Sequence, residues 1–470
     1  MIKRYFFIIA FLMASIHSLS AQLKSEVNEC FELVSIAFRL ADAREYVNNN
    51  IPSYAKDVDN YFSKYKTHKI ILYIKELREK YGVSYDAVMC AAAGIKIEKG
   101  KVVKLPHCEI TKMDGRWTDV IYKTFVVYLN DFYRKSKFRD FYTRHSHFYK
   151  LAEEKVNDTL GNINTKWFKS LWGVELGTPT IIVSLCNGKN NYAFTREIAG
   201  LKEIGIVVGC EGDSEGLPTC RLDMDYIVIH ELLHGYTNPL INQYWDQLSS
   251  SAEKIYSSIN QEVLKQGPYN HPKAMTFEWF ALLASVMYFR DNPKPNIPLA
   301  AVVKNMECQG FIWMTRSMVF MEHFYNNRKI HSYLQDYMGQ IINFMRYTAD
   351  NIEQVVKEYE NNIPYIVDTY PVTKSVILKK IDTVKIRFSR DMISDYKKNA
   401  VKENSKKADL KKLPVKGNPL WKDERTFIIP IDTGKLEEGK YGFLLHPRFF
   451  QAKNGYSIQG SCFYIINIVR

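Results

Sequence analysis

In the segment Tyr226-Ile227-Val228-Ile229-His230-Glu231-Leu232-Leu233-His234, two histidines stand four residues apart, with a glutamate directly after the first. Four residues turn an α-helix by about 400°, so His230 and His234 lie one above the other on one face. Two imidazoles held that way can both reach one Zn2+ at about 2.0–2.1 Å. Glu231 then sits beside the metal rather than on it, where a carboxylate can take a proton from water and deliver it to a leaving amine. Ile227, Leu232 and Leu233 are left to face a core and hold the helix still. With 11 His in 470 residues, chance supplies only about 0.01–0.02 such patterns per chain. The spacing therefore reads as a metal site.

Two histidines alone leave a catalytic zinc short of a third protein ligand. The metzincin arrangement would need Gly at 237 and His or Asp at 240, and Thr237 and Leu240 exclude it. The other common solution is a glutamate on a second helix. Glu278, in Met275-Thr276-Phe277-Glu278-Trp279-Phe280-Ala281-Leu282-Leu283-Ala284, lies 44 residues beyond His234. That stretch is apolar on nearly all sides of a helix, so an unpaired carboxylate in it would be costly to bury. A metal would account for it; a surface position or a pairing with Arg290 is the structural alternative. Glu253 and Glu262 are rival ligands. A hydrolytic site also needs a donor for the developing oxyanion, and Tyr269, His271, Tyr288, His323 and Tyr325 are the candidates.

His230-Glu231-Leu232-Leu233-His234 with the downstream Glu278 resembles the gluzincin branch of the zincin metallopeptidases. More narrowly, His234-Gly235-Tyr236-Thr237-Asn238-Pro239-Leu240 followed by a Glu-bearing helix is similar to a family of secreted bacterial proteins in which HExxH runs directly into an Asn-Pro turn. The likeness covers roughly residues 170 to 295. It implies Zn2+ as cofactor and peptide-bond hydrolysis, with His230, His234 and Glu278 as metal ligands and Glu231 as catalytic base. It also implies that the strands before His230 form a sheet whose edge strand pairs with an extended peptide substrate. One departure is Leu282, four residues after Glu278, where thermolysin-like members carry Asp and the narrower family often carries Arg.

The elements that must position these residues follow from the rest of the chain. Its 470 residues exceed one ordinary domain. Residues 22 to about 170 read mainly as helix, as in Ile70–Leu77 and Val120–Phe148. From about 176 the period changes: strands are predicted at Thr178–Leu185, Tyr192–Phe194 and Ile204–Val208, with a turn at Asn187–Asn191. Helices resume at Asp225 and run, with breaks at Pro239, Pro268 and Pro293, to about Tyr359. After Pro364–Pro371, Thr383–Phe388 alternates apolar and charged residues as a half-buried strand does, and Arg425–Ile431, Lys440–Leu445 and Ser461–Val469 supply further strands. The run Val384–Met392 and the triplet Gly439-Lys440-Tyr441 resemble bacterial immunoglobulin-like domains. The expected fold class is α+β. A helix-rich zincin-type domain spans 22–366, divided into a helical part 22–170 and an HExxH-bearing core 171–366. An all-β immunoglobulin-like sandwich follows at 367–470.

Met1-Ile2-Lys3-Arg4, the apolar run Tyr5–Ile16 and Ser18-Leu19-Ser20-Ala21 have the layout of a secretory signal peptide cut after Ala21. No later stretch is apolar enough to span a bilayer, so no transmembrane anchor is expected. The expected location is secreted, periplasmic or cell-surface. Eight cysteines are compatible with that; Cys210 and Cys220 are the first pair to suspect of a bridge, whereas Cys90 reads as a buried helix residue. Much of the net charge of +13 sits in a lysine-rich stretch from Lys397 to Lys416 with no nucleic-acid recognition motif beside it, so no nucleic acid is expected as partner. His107, His145 and His147 read as structural or exposed rather than as ligands. The expected function is a secreted zinc-dependent peptidase acting on protein or peptide, with glycoprotein among the candidate substrates. The rival is a non-catalytic zincin-fold protein that binds a cell-surface glycan or protein.

Overall fold

The computed structural model of the chain describes residues 23–160, 163–174, 179–198, 201–221, 223–259, 269, 271–295, 297–377, 381–394, 401–403, 410–459 and 462–469. The leader-like residues 1–21 and the break expected at Pro268 lie outside them. The fold is α+β, as the change of period along the chain implies. No helix among the described residues is long and apolar enough to cross a membrane. Two compact units divide the chain, the first made of Met1–Lys169 and Glu175–Val228, the second of Ser170–Val174 and Ile229–Arg470.

In the first unit, helices Glu29–Leu40, Pro52–Phe62, Lys69–Tyr81 and Asp119–Lys135 carry apolar faces that meet in an aromatic core. Phe62, Phe132, Phe138 and Phe141 pack with ring centroids 4.9–6.4 Å apart, so much of the chain's aromatic content is spent on this interior. A four-stranded sheet runs in the order Ser25–Glu26, Thr180–Ser184, Leu201–Gly209, Tyr192–Ile198. Its first three strands are parallel and Tyr192–Ile198 is antiparallel. Phe194 lies opposite Gly205, where a Cβ would meet the ring at 1.9 Å, so only glycine lets the ring cross that strand. The helical reading of residues 22–170 leaves out the strand Ser25–Glu26 and a hairpin. Ile95–Glu98 and Lys101–Lys104 form a hairpin whose two turn residues, Lys99 and Gly100, both take positive φ.

Cys210 and Cys220 do not form the suspected bridge; both thiols are free. Each is turned to a backbone carbonyl instead, Cys210 Sγ donating to Thr219 O at 3.2 Å and Cys220 Sγ to Lys155 O at 3.2 Å. Cys90 is buried in the helix Asp86–Ala93, as read. His145 is structural: its Nδ1 lies 2.9 Å from the Phe141 carbonyl and its Nε2 3.3 Å from Asp57.

The second unit holds helices Trp245–Ser258, Pro272–Asp291, Leu299–Cys308, Met314–Asn326, Met338–Asp350 and Ile352–Glu360, followed by two four-stranded sheets. One sheet is ordered Leu420–Asp423, Thr426–Pro430, Thr383–Phe388, Ile366–Tyr370; the other Val376–Ile377, Cys462–Ile468, Gly439–Leu445, Val401–Glu403. Val384, Ile386 and Phe388 of the first sheet share one buried cluster with Tyr441, Phe443, Leu445, Tyr464 and Ile466 of the second. Lys385 and Arg387 between them are exposed, which is the expected alternation. Glu307, 2% exposed, ties this sandwich to the helices: it accepts from Tyr456 Oη at 2.8 Å and from Lys304 Nζ at 3.1 Å. Asn454 adds a bond to the Asn362 carbonyl at 2.8 Å.

The first unit also buries a carboxyl. Glu32 is fully enclosed and accepts from Tyr54 Oη at 2.7 Å and Leu185 N at 2.9 Å. Burial pushes it up to about 7, against the pull of those bonds. The native state thus keeps a proton that the unfolded chain releases near 4.5, so this contribution to stability is complete below pH 4.5 and is lost as pH rises through 7. Replacing Glu32 by Gln should remove that fall. Urea unfolding below pH 4.5 and above pH 7 should show the wild type losing on the order of 3 kcal/mol relative to the variant. A constant difference across that range would contradict the buried, protonated carboxyl.

Candidate metal centre

The helix Met224–Gln243 carries the two histidines, and Pro272–Asp291 carries Glu278. The second helix starts cleanly. Pro272 occupies its first turn, where a missing N–H costs nothing, and His271 caps it, its Nδ1 accepting from Ala274 N at 3.3 Å. Almost every residue from Met275 to Phe289 is buried. Trp279 fixes the rotation of this helix by donating from Nε1 to Ser317 Oγ at 3.0 Å. Trp172, at the end of the helix Lys166–Trp172, lies between the two helices. Its ring stands 5.3 Å from Tyr236 and 6.5 Å from Phe280.

That packing brings His230, His234 and Glu278 together, with one ligand atom from each within 4.8 Å of the others. The two Nε2 atoms are 3.2 Å apart; Glu278 Oε1 lies 3.3 Å from His230 Nε2, and Oε2 lies 3.4 Å from His234 Nε2. The three side chains are 13–16% exposed, open enough for solvent or a ligand to reach their shared centre. The donor set, two imidazole nitrogens and a carboxylate, could hold a metal ion. The two Nε2 atoms, 3.2 Å apart, stand at the separation of two corners of a tetrahedron whose centre lies about 2.0–2.1 Å from each, so this pair fits a small four-coordinate cation.

The side chains of the site also shift one another's titration. Burial would raise the Glu278 carboxyl, but the neighbouring charges and hydrogen bonds of His230 and His234 hold it well below the usual carboxylate range. His234 shows the reciprocal effect: burial acts to lower it, yet the bond and charge of Glu278 push it up to about 9. Glu231 is raised by burial, with the two histidines opposing and Glu278 reinforcing the shift.

Each ligand has an outer partner. His234 Nδ1 lies 3.2 Å from Asn238 Oδ1, and His230 Nδ1 lies 3.5 Å from Ser285 Oγ. Tyr269 Oη donates to Glu278 Oε1 at 3.0 Å. Outer partners of this kind fix imidazole tautomers and carboxylate orientation. Leu282, four residues after Glu278, provides no such polar partner. Leu282 is itself a buried apolar residue, 6% exposed.

Of the residues singled out by sequence, the three expected ligands His230, His234 and Glu278 converge, and among the described residues no rival joins them. Glu253 is exposed on Trp245–Ser258, and Glu262 lies outside the described residues. Arg290 pairs with Glu322 at 2.9 Å rather than with Glu278. Among the oxyanion candidates, Tyr269 reaches the site. His271 is a helix cap, Tyr288 is 1% exposed in the core, and Tyr325 donates to Asp291 at 3.0 Å. His323 lines a separate groove with Phe320 and Phe344. The expected break at Pro239 is absent: the helix runs through it to Gln243. Thr237 and Ile241, both fully buried on either side of the proline, supply the packing that offsets the roughly 3 kcal/mol a proline costs inside a helix. Sequence reasoning missed Asn238 and Ser285. Asn238, four residues after His234, could have been read from spacing alone; Ser285 could not.

Residues 25–344 match the family described as Domain of unknown function (DUF4932). The chain belongs to the DUF4932 family. All four residues His230, Glu231, His234 and Glu278 fall within the DUF4932 match. No curated protein matches the chain. Two solved structures are similar to parts of it. The S-layer protein rSbsC(31-844) is 11% identical, covering 51% of this chain and 33% of that chain at a TM-score of 0.16. Domains 1-6 of the surface layer protein SbsC are 9% identical, covering 52% and 33% at a TM-score of 0.16. The DUF4932 chain thus spans about a third of those chains.

If Glu278 is a ligand, Glu278→Ala should lower affinity for Zn2+ or Co2+ by more than the about 10–100-fold expected for loss of an outer partner. Calorimetric titration against wild type checks this. Full, unweakened occupancy in Glu278→Ala would remove the residue from the centre.

Proposed function

We propose that this DUF4932 protein is an exported zinc-dependent peptidase whose metal is held by His230, His234 and Glu278. The observation that carries the reading is the convergence of His230, His234 and Glu278, with one ligand atom from each within 4.8 Å of the others, and a fourth side chain, Glu231, one residue from the first histidine. Borderline nitrogen and oxygen donors in a four-coordinate arrangement favour zinc over magnesium or calcium, which take six or more oxygens. Export is supported by the positive and apolar pattern of residues 1–21.

Zinc bound there supplies Lewis acidity, polarising a substrate carbonyl and lowering the pKa of water to about 7. Glu231 is the proton carrier. Its carboxyl, raised by burial, is a better acceptor than a solvated glutamate. It takes a proton from the attacking water and gives it to the departing amine, so the carboxylate is regenerated in each cycle. Glu278 would be engaged as a metal ligand and takes no part in that transfer. Tyr269, already bonded to Glu278 Oε1, orients the carboxylate and is the hydroxyl best placed to assist an oxyanion.

The test is hydrolysis of a broad peptide library, bare and glycosylated, by zinc-loaded wild type and Glu231→Gln. The wild type should turn over at least one class of peptide. The variant should keep its zinc and lose about 10²–10⁴-fold in rate. Absence of cleavage in every class, or equal rates in the two proteins, would reject the peptidase and leave the binding-protein reading.

A further inference from the structure

Asn238 occupies a position that local physics disfavours. It lies in the body of the Met224–Gln243 helix, directly before Pro239. Asparagine is a poor interior helix residue because its amide competes for backbone partners. A residue before proline is also pushed away from the helical region. A local conflict of this kind marks a place where function outweighs propensity.

What the position provides is one contact. Asn238 Oδ1 lies 3.2 Å from His234 Nδ1, one helical turn back on the same face. The other ring nitrogen, Nε2, faces His230 Nε2 at 3.2 Å and Glu278 Oε2 at 3.4 Å. For Nε2 to offer its lone pair to a metal, the ring proton must sit on Nδ1, and the partner of Nδ1 must then be an acceptor. An amide oxygen is such an acceptor. His230 has a looser counterpart, Ser285 Oγ at 3.5 Å, whose own proton goes to the Ala281 carbonyl at 2.8 Å. The tighter constraint is the one at His234.

We propose that Asn238 is a positioning residue of the metal centre: it holds the His234 ring in the tautomer and rotation that present Nε2 to the ion. The Asn238-Pro239 step is thereby part of the site, although neither residue touches the metal position. This assignment rests on the reading of the triad as a zinc centre.

Asn238→Ala and Asn238→Asp separate this role from a structural one. Alanine removes the acceptor while favouring the helix; aspartate restores an acceptor at the same reach. Asn238→Ala should weaken zinc binding, measured by chelator competition, by about 10–100-fold. It should also alter the visible spectrum of the Co2+-substituted protein, while the melting temperature without metal stays the same or rises. Asn238→Asp should keep the wild-type Co2+ spectrum. Wild-type affinity and spectrum in Asn238→Ala would overturn the assignment, as would an aspartate variant that loses as much as the alanine one. A wild type that takes up no zinc in the same titration fails the zinc reading itself. Normal wild-type binding with an indifferent Asn238→Ala fails only the role of Asn238.

Discussion

The second unit is organised around one electrostatic constraint, an ionised carboxylate on a helix that is otherwise apolar. Glu278 sits among Met275, Trp279, Leu282 and Leu283, all nearly or wholly buried. An ionised carboxylate in such surroundings costs several kcal/mol unless its charge is matched. The match comes from the two imidazoles of the neighbouring helix, and the reciprocal shifts of Glu278 downward and His234 upward express it. A divalent cation in the same place would satisfy all three donors at once. The packing of the two helices through Trp172, Tyr236 and Phe280 holds the donors in register without depending on their mutual charge.

Around that centre the structure builds outward by hydrogen bonds to the second ring nitrogen of each histidine and to one oxygen of Glu278. Asn238, Ser285 and Tyr269 come from three different places: the same helix, the facing helix, and the residues before its cap. Each restrains a rotation that packing alone would leave free. The C-terminal sandwich stands on the same unit through a buried Glu307 satisfied by a lysine, a tyrosine and the Thr315 amide. It is thereby fixed to the helices rather than suspended from them.

Much of this was legible in the sequence, for identifiable reasons. His230, Glu231 and His234 are read from spacing, because the turn of a helix dictates which side chains share a face. Glu278 is read from burial cost, because a carboxylate on an apolar helix needs a partner for its charge. The sandwich strands follow from the period-two alternation at Thr383–Phe388 and its neighbours. What was not legible depended on tertiary choice. A serine such as Ser285 gives no signal until the helices are docked. The hairpin at Ile95–Lys104 was hidden by a helical context, although Lys99-Gly100 is a good tight-turn pair. The helix through Pro239 reverses a propensity rule, because buried Thr237 and Ile241 lie on either side of the proline. The Cys210–Cys220 bridge failed because proximity in sequence does not decide where thiols point.

The central claim is a zinc ion held by two imidazoles and one carboxylate, and zinc K-edge X-ray absorption on the purified, zinc-loaded protein tests it most directly. One zinc per chain is expected, with a first shell of nitrogen and oxygen at about 2.0–2.1 Å and the outer scattering of two imidazole rings. A shell containing sulfur at about 2.3 Å, or a protein that retains no zinc after loading, would contradict it.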